Sequence, residues 1–216
     1  MKRREFSHLV CGAFGLATLV GGTGNAVAQV NQVDSKEYVR LAQAVPSNAP
    51  PGKIEVIEFF LYGAPTSFAF QRMIDTWKGR LPASVVFRRL PLVLRPYQES
   101  QAMFFYALEA MGMADALHSR IFSSIHVANL EMVTLKQFDK FVQENGVDIA
   151  KFELHFNSLS VKVKVKQGIQ LANEYRVNGL PAIGVQGRYY TDLKLAGSNE
   201  RLLQGSNYLI QIPRSS

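Results

Sequence analysis

Residues 53–70 read K-I-E-V-I-E-F-F-L-Y-G-A-P-T-S-F-A-F, and this stretch decides the fold. The run over residues 54–61 is almost continuously β-branched and aromatic, which is typical of a strand buried on both faces. A turn at residues 63–65 interrupts the run, and apolar residues then recur at helical spacing as far as Trp77. The stretch therefore predicts a strand, a tight turn and a helix.

A second strand and a helical block follow. Residues 85–92 predict a strand that is stopped by Pro91 and lies parallel to the first strand after a right-handed crossover. The pattern then becomes helical, and four helices are expected at residues 102–111, 117–125, 135–143 and 160–175. Thr134 and Ser160 are the predicted N-caps of the last two helices.

The C-terminal part returns to strands. Residues 182–185 and 188–191 predict two short strands around a hairpin turn at Gln186 and Gly187, and a last helix begins at Asn199. The order is therefore βαβ, helical insert, ββα. This order predicts an α/β protein with a thioredoxin-like fold that carries an inserted α-helical domain.

The chain divides into a signal, a lead-in and two structural parts. Residues 1–28 are the predicted signal peptide. Residues 29–52 are a polar, proline-containing lead-in, in which a short helical turn is expected near residues 38–42. The thioredoxin-like domain is expected to comprise residues 53–95 and 177–216, and the inserted helical domain residues 96–176.

The N-terminus has the three parts of an export signal. Residues 2–4 are basic, residues 9–20 are apolar, and the A-V-A at residues 26–28 offers a cleavage site. Because the apolar part is too short to span a bilayer, we expect the signal to be removed, with no stable membrane insertion afterwards. The predicted location is the periplasm, and either the general or the twin-arginine export route fits.

Charge and histidine spacing argue against two classes of partner. Removal of the signal would lower the net charge from +7 to +5, because three basic residues and one acidic residue are lost. The basic residues at 88–89 and 162–166 lack the interleaved aromatics of nucleic-acid binders, so no nucleic-acid partner is expected. His118, His126 and His155 match no metal-site spacing, and no metal is expected.

The cysteine count carries the most information. The only cysteine is Cys11, and it lies inside the predicted signal. The preceding residues 8–10, H-L-V, resemble a lipobox poorly, so Cys11 is not interpreted as a lipid anchor. After export the chain would have neither a thiol nor a disulfide of its own.

Several stretches resemble the DsbA family of thiol:disulfide interchange proteins. They are residues 53–70, 81–91 (L-P-A-S-V-V-F-R-R-L-P), 106–112, 145–148 and 177–190 (V-N-G-L-P-A-I-G-V-Q-G-R-Y-Y). Together they extend over nearly all of the chain after the predicted signal. The resemblance implies a thioredoxin-like fold and an active-site turn that normally reads C-P-H-C. In this chain the turn reads A-P-T-S.

The resemblance also assigns positions within the turn. Ala64 stands where the family has its nucleophilic cysteine, Ser67 where it has the resolving cysteine, and Thr66 where it usually has histidine, so that only Pro65 is kept. The family's chemistry needs a thiolate stabilised by the helix N-terminus. Alanine has no reactive atom, and a serine hydroxyl without a base is a poor nucleophile that cannot enter thiol–disulfide exchange. We therefore predict no catalytic residue and no disulfide exchange.

Other family positions are retained. Glu58 matches the buried acid that resembling oxidases use near the resolving thiol, but with no thiol we interpret it as a carboxylate balanced by a neighbour such as Arg89. Leu180-Pro181 matches the family's cis-proline dipeptide, which faces the turn. The resemblance implies that Leu180, Pro181 and Phe68 bind extended or unfolded polypeptide segments, without a cofactor.

Two other functions stay open. A glutathione-dependent transferase or isomerase of the same fold would use a serine at the first turn position, which here is Ala64. Alternatively, the chain is a disulfide oxidoreductase by ancestry only. Deliberate silencing of an oxidase would also replace its cysteines with alanine and serine, although it would not account for Thr66.

Overall fold

The computed structural model describes residues 35–212, and the predicted signal with Cys11 lies outside them. In chain order the elements are β1 (Val39–Arg40), β2 (Ile54–Phe60), α1 (Pro65–Lys78), β3 (Val85–Pro91), α2 (Pro96–Ala110), α3 (Ala114–His126), α4 (Leu135–Glu144), α5 (Ile149–Phe156), α6 (Leu159–Glu174), β4 (Ala182–Val185), β5 (Tyr189–Asp192), α7 (Leu193–Ala196) and α8 (Asn199–Gln211). Within this range no helix combines the length and the apolar character needed to cross a bilayer.

The strands form one mixed sheet in the order β1-β5-β4-β2-β3. The predicted parallel pairing is confirmed, since β2 and β3 run side by side from Ile54 opposite Val85 to Phe60 opposite Pro91. On its other side β2 pairs antiparallel with β4, where Phe59 lies opposite Ala182. The central position of β2 explains why its sequence is apolar on both faces.

Each face of the sheet has its own apolar core. Val56 of β2 packs with residues of α1, β4 and α8. The next residue, Ile57, belongs to a separate cluster with Tyr175 and Leu90. The insert, α2 to α6, has a third core, in which the ring of Phe104 stacks on that of Phe138 at a centroid distance of 4.4 Å. The predicted helical insertion is thus confirmed.

Several local predictions were wrong. The lead-in has no helical turn near residues 38–42, because Val39–Arg40 forms an edge strand that pairs with β5. Residues 149–156 form a helix that was not predicted, with Asp148 as its N-cap. Ser158, rather than Ser160, caps α6. The edge strand and the helix over residues 149–156 are short, and tertiary packing decides the structure of such segments more than local pattern does.

The predicted hairpin turn between β4 and β5 binds residues 39–46, which are called the N-terminal segment below. Val45 donates its backbone N–H to the Gly187 carbonyl oxygen at 2.7 Å. Gly187 has a φ of +66°, and a Cβ at this position would collide with the carbonyl oxygen of Val45. Glycine is therefore required both for the backbone conformation and for the close approach of the two segments.

Candidate functional site

The A-P-T-S turn forms the first turn of α1. Ala64 is the N-cap residue and makes no side-chain capping hydrogen bond, and Pro65 occupies the first helical position. Pro65 and Thr66 are exposed, whereas Ser67 is fully buried, where its Oγ accepts the N–H of Leu61 at 3.3 Å. The turn keeps a defined helix start, with a methyl group and a buried hydroxyl at the two positions assigned to the family's cysteines.

The Leu180-Pro181 peptide bond is cis, as predicted. Ala182 lies opposite Phe59, so the register extended by one residue places Pro181 beside Phe60. The loop to Ala64 leaves β2 at this same end of the sheet, which brings the proline and the A-P-T-S turn to one end of the sheet. Among the described residues, neither the N–H nor the C=O of Leu180 has a hydrogen-bond partner.

A tyrosine and a buried aspartate support the loop before Pro181. The Tyr190 hydroxyl accepts the N–H groups of Asn178 and Gly179 at 3.3 Å each and donates to Asp192 Oδ2 at 2.6 Å. Burial and the hydrogen bond to Asp192 raise the pKa of Tyr190, so it remains a donor. A Cβ on Gly179 would lie 2.5 Å from Asp192 Oδ2. These supporting residues were not predicted, although Tyr190 lies in a stretch that resembles the family.

Phe68 is held against α3. Its ring stacks on His126 with a centroid distance of 4.9 Å and an interplanar angle of 10°. His126 Nε2 donates to the carbonyl oxygen of Tyr62 at 2.8 Å, which ties the loop before α1 to the same histidine. Phe68 remains partly exposed beside the turn. The role of His126 was not predicted, because its spacing in the sequence is that of an ordinary helix residue.

The predicted pairing of Glu58 with Arg89 is confirmed and is part of a larger charged cluster. Arg89 Nε donates to Glu58 Oε2 at 2.8 Å, and its other nitrogens donate to Asp115 at 2.6 Å and to Asp75. Burial raises the pKa of Glu58, although Arg89 and the amide of Gln71 oppose the shift. One arginine thus contacts three carboxylates, an arrangement typical of a structural ion-pair cluster.

A buried histidine lies behind the turn. His118 Nδ1 and the Tyr62 hydroxyl share a hydrogen bond of 3.1 Å, while Nε2 is buried without a partner among the described residues. Burial lowers the pKa of His118 well below its ordinary value, and the positive charges of Arg89 and Lys78 act in the same direction. His118 is therefore neutral at physiological pH. Across residues 35–212 no metal-like cluster of His, Cys, Asp and Glu occurs.

Comparison with known proteins agrees with the geometry. A family model described as the DSBA-like thioredoxin domain matches residues 39–202. The thiol:disulfide interchange protein DsbA of Azotobacter vinelandii is 35% identical over 211 residues, covering 96% of this chain and 98% of that protein. The crystal structure of Pseudomonas aeruginosa DsbA superposes with a TM-score of 0.78 at 38% identity, covering 82% of this chain and 91% of the other. The predicted resemblance and fold are confirmed, and the chain belongs to the DsbA family of thioredoxin-fold proteins.

Proposed function

We propose that this chain is an exported DsbA-family protein that has lost disulfide exchange and binds extended or unfolded polypeptide segments beside Leu180 and Phe68. One observation carries the proposal. The unpaired backbone of Leu180 lies at the same end of the sheet as a helix start that has a methyl group and a hydroxyl where sulfur would be needed. A surface of this kind favours binding over chemistry.

Loss of exchange follows from the atoms at the turn. Disulfide exchange requires a thiolate that attacks and a second thiol that resolves the mixed disulfide. Ala64 supplies no nucleophile, and the hydroxyl of Ser67 is buried and already accepts the N–H of Leu61. The one cysteine of the sequence, Cys11, belongs to the segment that we expect to be removed on export.

Polypeptide binding rests on main-chain groups and on an aromatic neighbour. An extended segment that runs beside Leu180 would pair with its free N–H and C=O in the manner of strand addition. Phe68, fixed by its stacking on His126, offers an apolar surface to the side chains of such a segment. Tyr190 orders the loop in advance, which lowers the entropic cost of binding.

Export to the periplasm is part of the same proposal. It rests on the basic, apolar and A-V-A parts of residues 2–28. Cell fractionation, with mass spectrometry of the N-terminus, is expected to find the protein in the periplasm starting at Gln29. Recovery of the full-length chain from the cytoplasm would contradict this part.

The two turn positions assigned to the family's cysteines offer no accessible hydroxyl group that could hold the thiolate of glutathione. The first turn position, Ala64, has no hydroxyl to hold a thiolate, and the hydroxyl of Ser67 is not accessible. Calorimetry with reduced glutathione is therefore expected to show no binding. Saturable heat accompanied by turnover of a glutathione acceptor would favour the transferase or isomerase alternative.

The binding experiment uses the processed protein and an unfolded client whose cysteines are chemically blocked. We expect suppression of client aggregation, with NMR shift changes at Leu180 and Phe68. The change Phe68→Ala is expected to weaken client binding about tenfold, the loss typical of one aromatic anchor. Leu154→Ala is the matched control, because this leucine is 72% exposed on α5, outside the site.

Two results would contradict polypeptide binding at this site. One is a client that aggregates as fast with the protein as without it, and with no shift at Leu180. The other is equal binding by both variants, which would place the client elsewhere. Catalysis of insulin reduction by the unmodified processed protein would overturn the loss of exchange.

A further inference from the structure

A separate cleft lies between the N-terminal segment and α6. It has a volume of about 1000 Å³ and is lined by residues 39–46 on one side and by residues of α6 and Arg176 on the other. A smaller hollow, which shares Arg40 and reaches Arg188, adjoins it. Neither the A-P-T-S turn nor Leu180 lines these cavities, so the cleft is distinct from the site described above.

The walls of the cleft carry uncompensated positive charge. Arg40, Lys166 and Arg176 line it, and Arg188 lines the adjoining hollow; none of the four forms an ion pair with a carboxylate in the part of the chain that the structure describes. The one acidic side chain on its lining is that of Glu174. Three cations and one carboxylate on the lining, with a fourth cation in the adjoining hollow, favour an anionic occupant.

The cleft continues along α6 into a second basic hollow. This hollow, of about 410 Å³, shares Gln170 and Glu174 with the first and is also lined by Arg88. Arg88 Nε donates to Glu55 Oε1 at 2.8 Å, but its Nη2 is buried without a partner among the described residues. The other acid on the lining, Glu109, accepts from Lys164 at 2.6 Å. An unused guanidinium nitrogen thus adds to the excess of donors.

The edge of the sheet borders the same cleft. Val39 lies opposite Tyr190 in the ladder, and the N–H of Leu41 donates to the Arg188 carbonyl at 2.8 Å. In an antiparallel ladder the residue between two hydrogen-bonded positions directs its N–H and C=O to the other side. The main chain of Arg40 is therefore turned away from β5, at the outer edge of the sheet that the described residues form.

We propose that this cleft binds an acidic, extended polypeptide segment that adds to the outer edge of β1. The guanidinium and ammonium groups would pair with its carboxylates, and the main chain of Arg40 would pair with its backbone. A concave cleft bordered by a strand edge suits a polypeptide better than a lipid surface. This site goes beyond the client-binding site at Leu180 and does not depend on it.

The test uses a fluorescein-labelled peptide that alternates glutamate and threonine, measured by fluorescence anisotropy with the processed protein. We expect saturable binding that weakens as salt rises, and much weaker binding of the matching lysine–threonine peptide. The paired change Arg40→Glu with Arg176→Glu should weaken binding by about tenfold or more. The control pair, Arg80→Glu with Lys136→Glu, reverses two exposed charges outside the cleft and should leave the affinity unchanged.

Further measurements separate this site from the other. NMR shifts caused by the acidic peptide are expected at residues 39–45 and along α6, and Phe68→Ala should not alter its affinity. Alternate N-methylation of the peptide backbone should abolish binding, because it removes strand pairing. Shifts confined to Leu180 and Phe68, equal binding by both charge-reversal pairs, unaffected binding of the methylated peptide, or binding only to vesicles of anionic lipid would each overturn the proposal.

Discussion

The N-terminal turn of helix α1 and the part of the helix around Gln71 and Asp75 differ in the groups that they carry. At its N-terminus, Ala64 and Ser67 occupy the positions where the family carries its redox sulfurs, so the groups that would react are gone. Farther along the same helix, Gln71 and Asp75 contact Glu58 and Arg89 in a fully assembled charged cluster. The turn therefore has no thiol, while the buried charged cluster beside it is present.

This contrast indicates that the cluster serves the fold. A buried ion pair contributes little net stability, but removal of one partner leaves a costly unpaired charge. Once Glu58 is buried, Arg89 is needed whether or not a thiol is present. The amide of Gln71, which donates to Glu58, also donates to the Ser67 carbonyl at 3.1 Å, which links the first turn of α1 to the charged cluster. The turn can therefore change its chemistry without loss of its shape.

The largest expected effect is a gain of activity at the turn. The paired change Ala64→Cys with Ser67→Cys should create a reducible disulfide and catalyse insulin reduction, which the unmodified processed protein should not do. The start of α1 supplies the dipole and N–H groups that lower a thiol pKa. Ala64→Cys alone is the control and should not form the intramolecular disulfide. If the double variant stays inactive although folded, more than the sulfurs has been lost.

The second largest expected effect is a loss of stability when Arg89 is replaced. Arg89→Met should lower the free energy of unfolding by about 3–5 kcal/mol, because Glu58 is then left buried without its cation. Urea denaturation measures the effect. Adding Glu58→Gln to Arg89→Met should restore part of the loss, and Arg80→Met, at an exposed position, should change little. Equal stability of Arg89→Met and Arg80→Met would remove the contrast between the two ends of α1.

A smaller effect on stability is expected at the loop before Pro181, which Tyr190 supports. Tyr190→Phe deletes the donor to buried Asp192 and the acceptor for two loop N–H groups. A loss of about 1.5–3 kcal/mol in unfolding free energy is expected, the range for hydrogen bonds to charged groups. Tyr97→Phe is the control at a half-exposed tyrosine. Undiminished order of Leu180 in NMR spectra of Tyr190→Phe would show that the loop is held in another way.

The smallest expected effect is on the pH dependence of the free energy of unfolding. The pKa of His118 is lower in the folded than in the unfolded state, so the unfolded chain binds the proton more readily. Stability should therefore fall as pH drops below the ordinary value of 6.5, by up to about 1.4 kcal/mol per pH unit. His118→Gln should remove this slope and His155→Gln should keep it. The raised pKa of Glu58 acts in the opposite direction, so the difference between variant and parent isolates the histidine.

Much of the fold could be predicted because its pattern is local. The apolar run before the turn, the helical period of the insert and the Gln186-Gly187 hairpin each lie within a short window of sequence. The A-P-T-S positions and Leu180-Pro181 followed from the resemblance. The pairing of Glu58 with Arg89 could be anticipated because a buried acid needs a cation and the neighbouring strand offered one.

Several of the missed features depend on residues far apart in the chain. Asp115, in the inserted helices, contacts Arg89 of β3. His126 of α3 stacks on Phe68 of α1. The edge strand Val39–Arg40 is too short to leave a pattern and forms only because β5 offers it a partner. Such contacts are set by packing, which a single sequence does not display.

The close fit of Gly187 against Val45 has a consequence for association between molecules. Any larger residue at 187 would push the N-terminal segment off the hairpin turn and away from β5. The main-chain groups of Arg188 and Tyr190 that face β1 would then lie at a bare sheet edge, which is a template for pairing with another chain. Glycine at position 187 is therefore expected to limit edge-to-edge association and domain exchange.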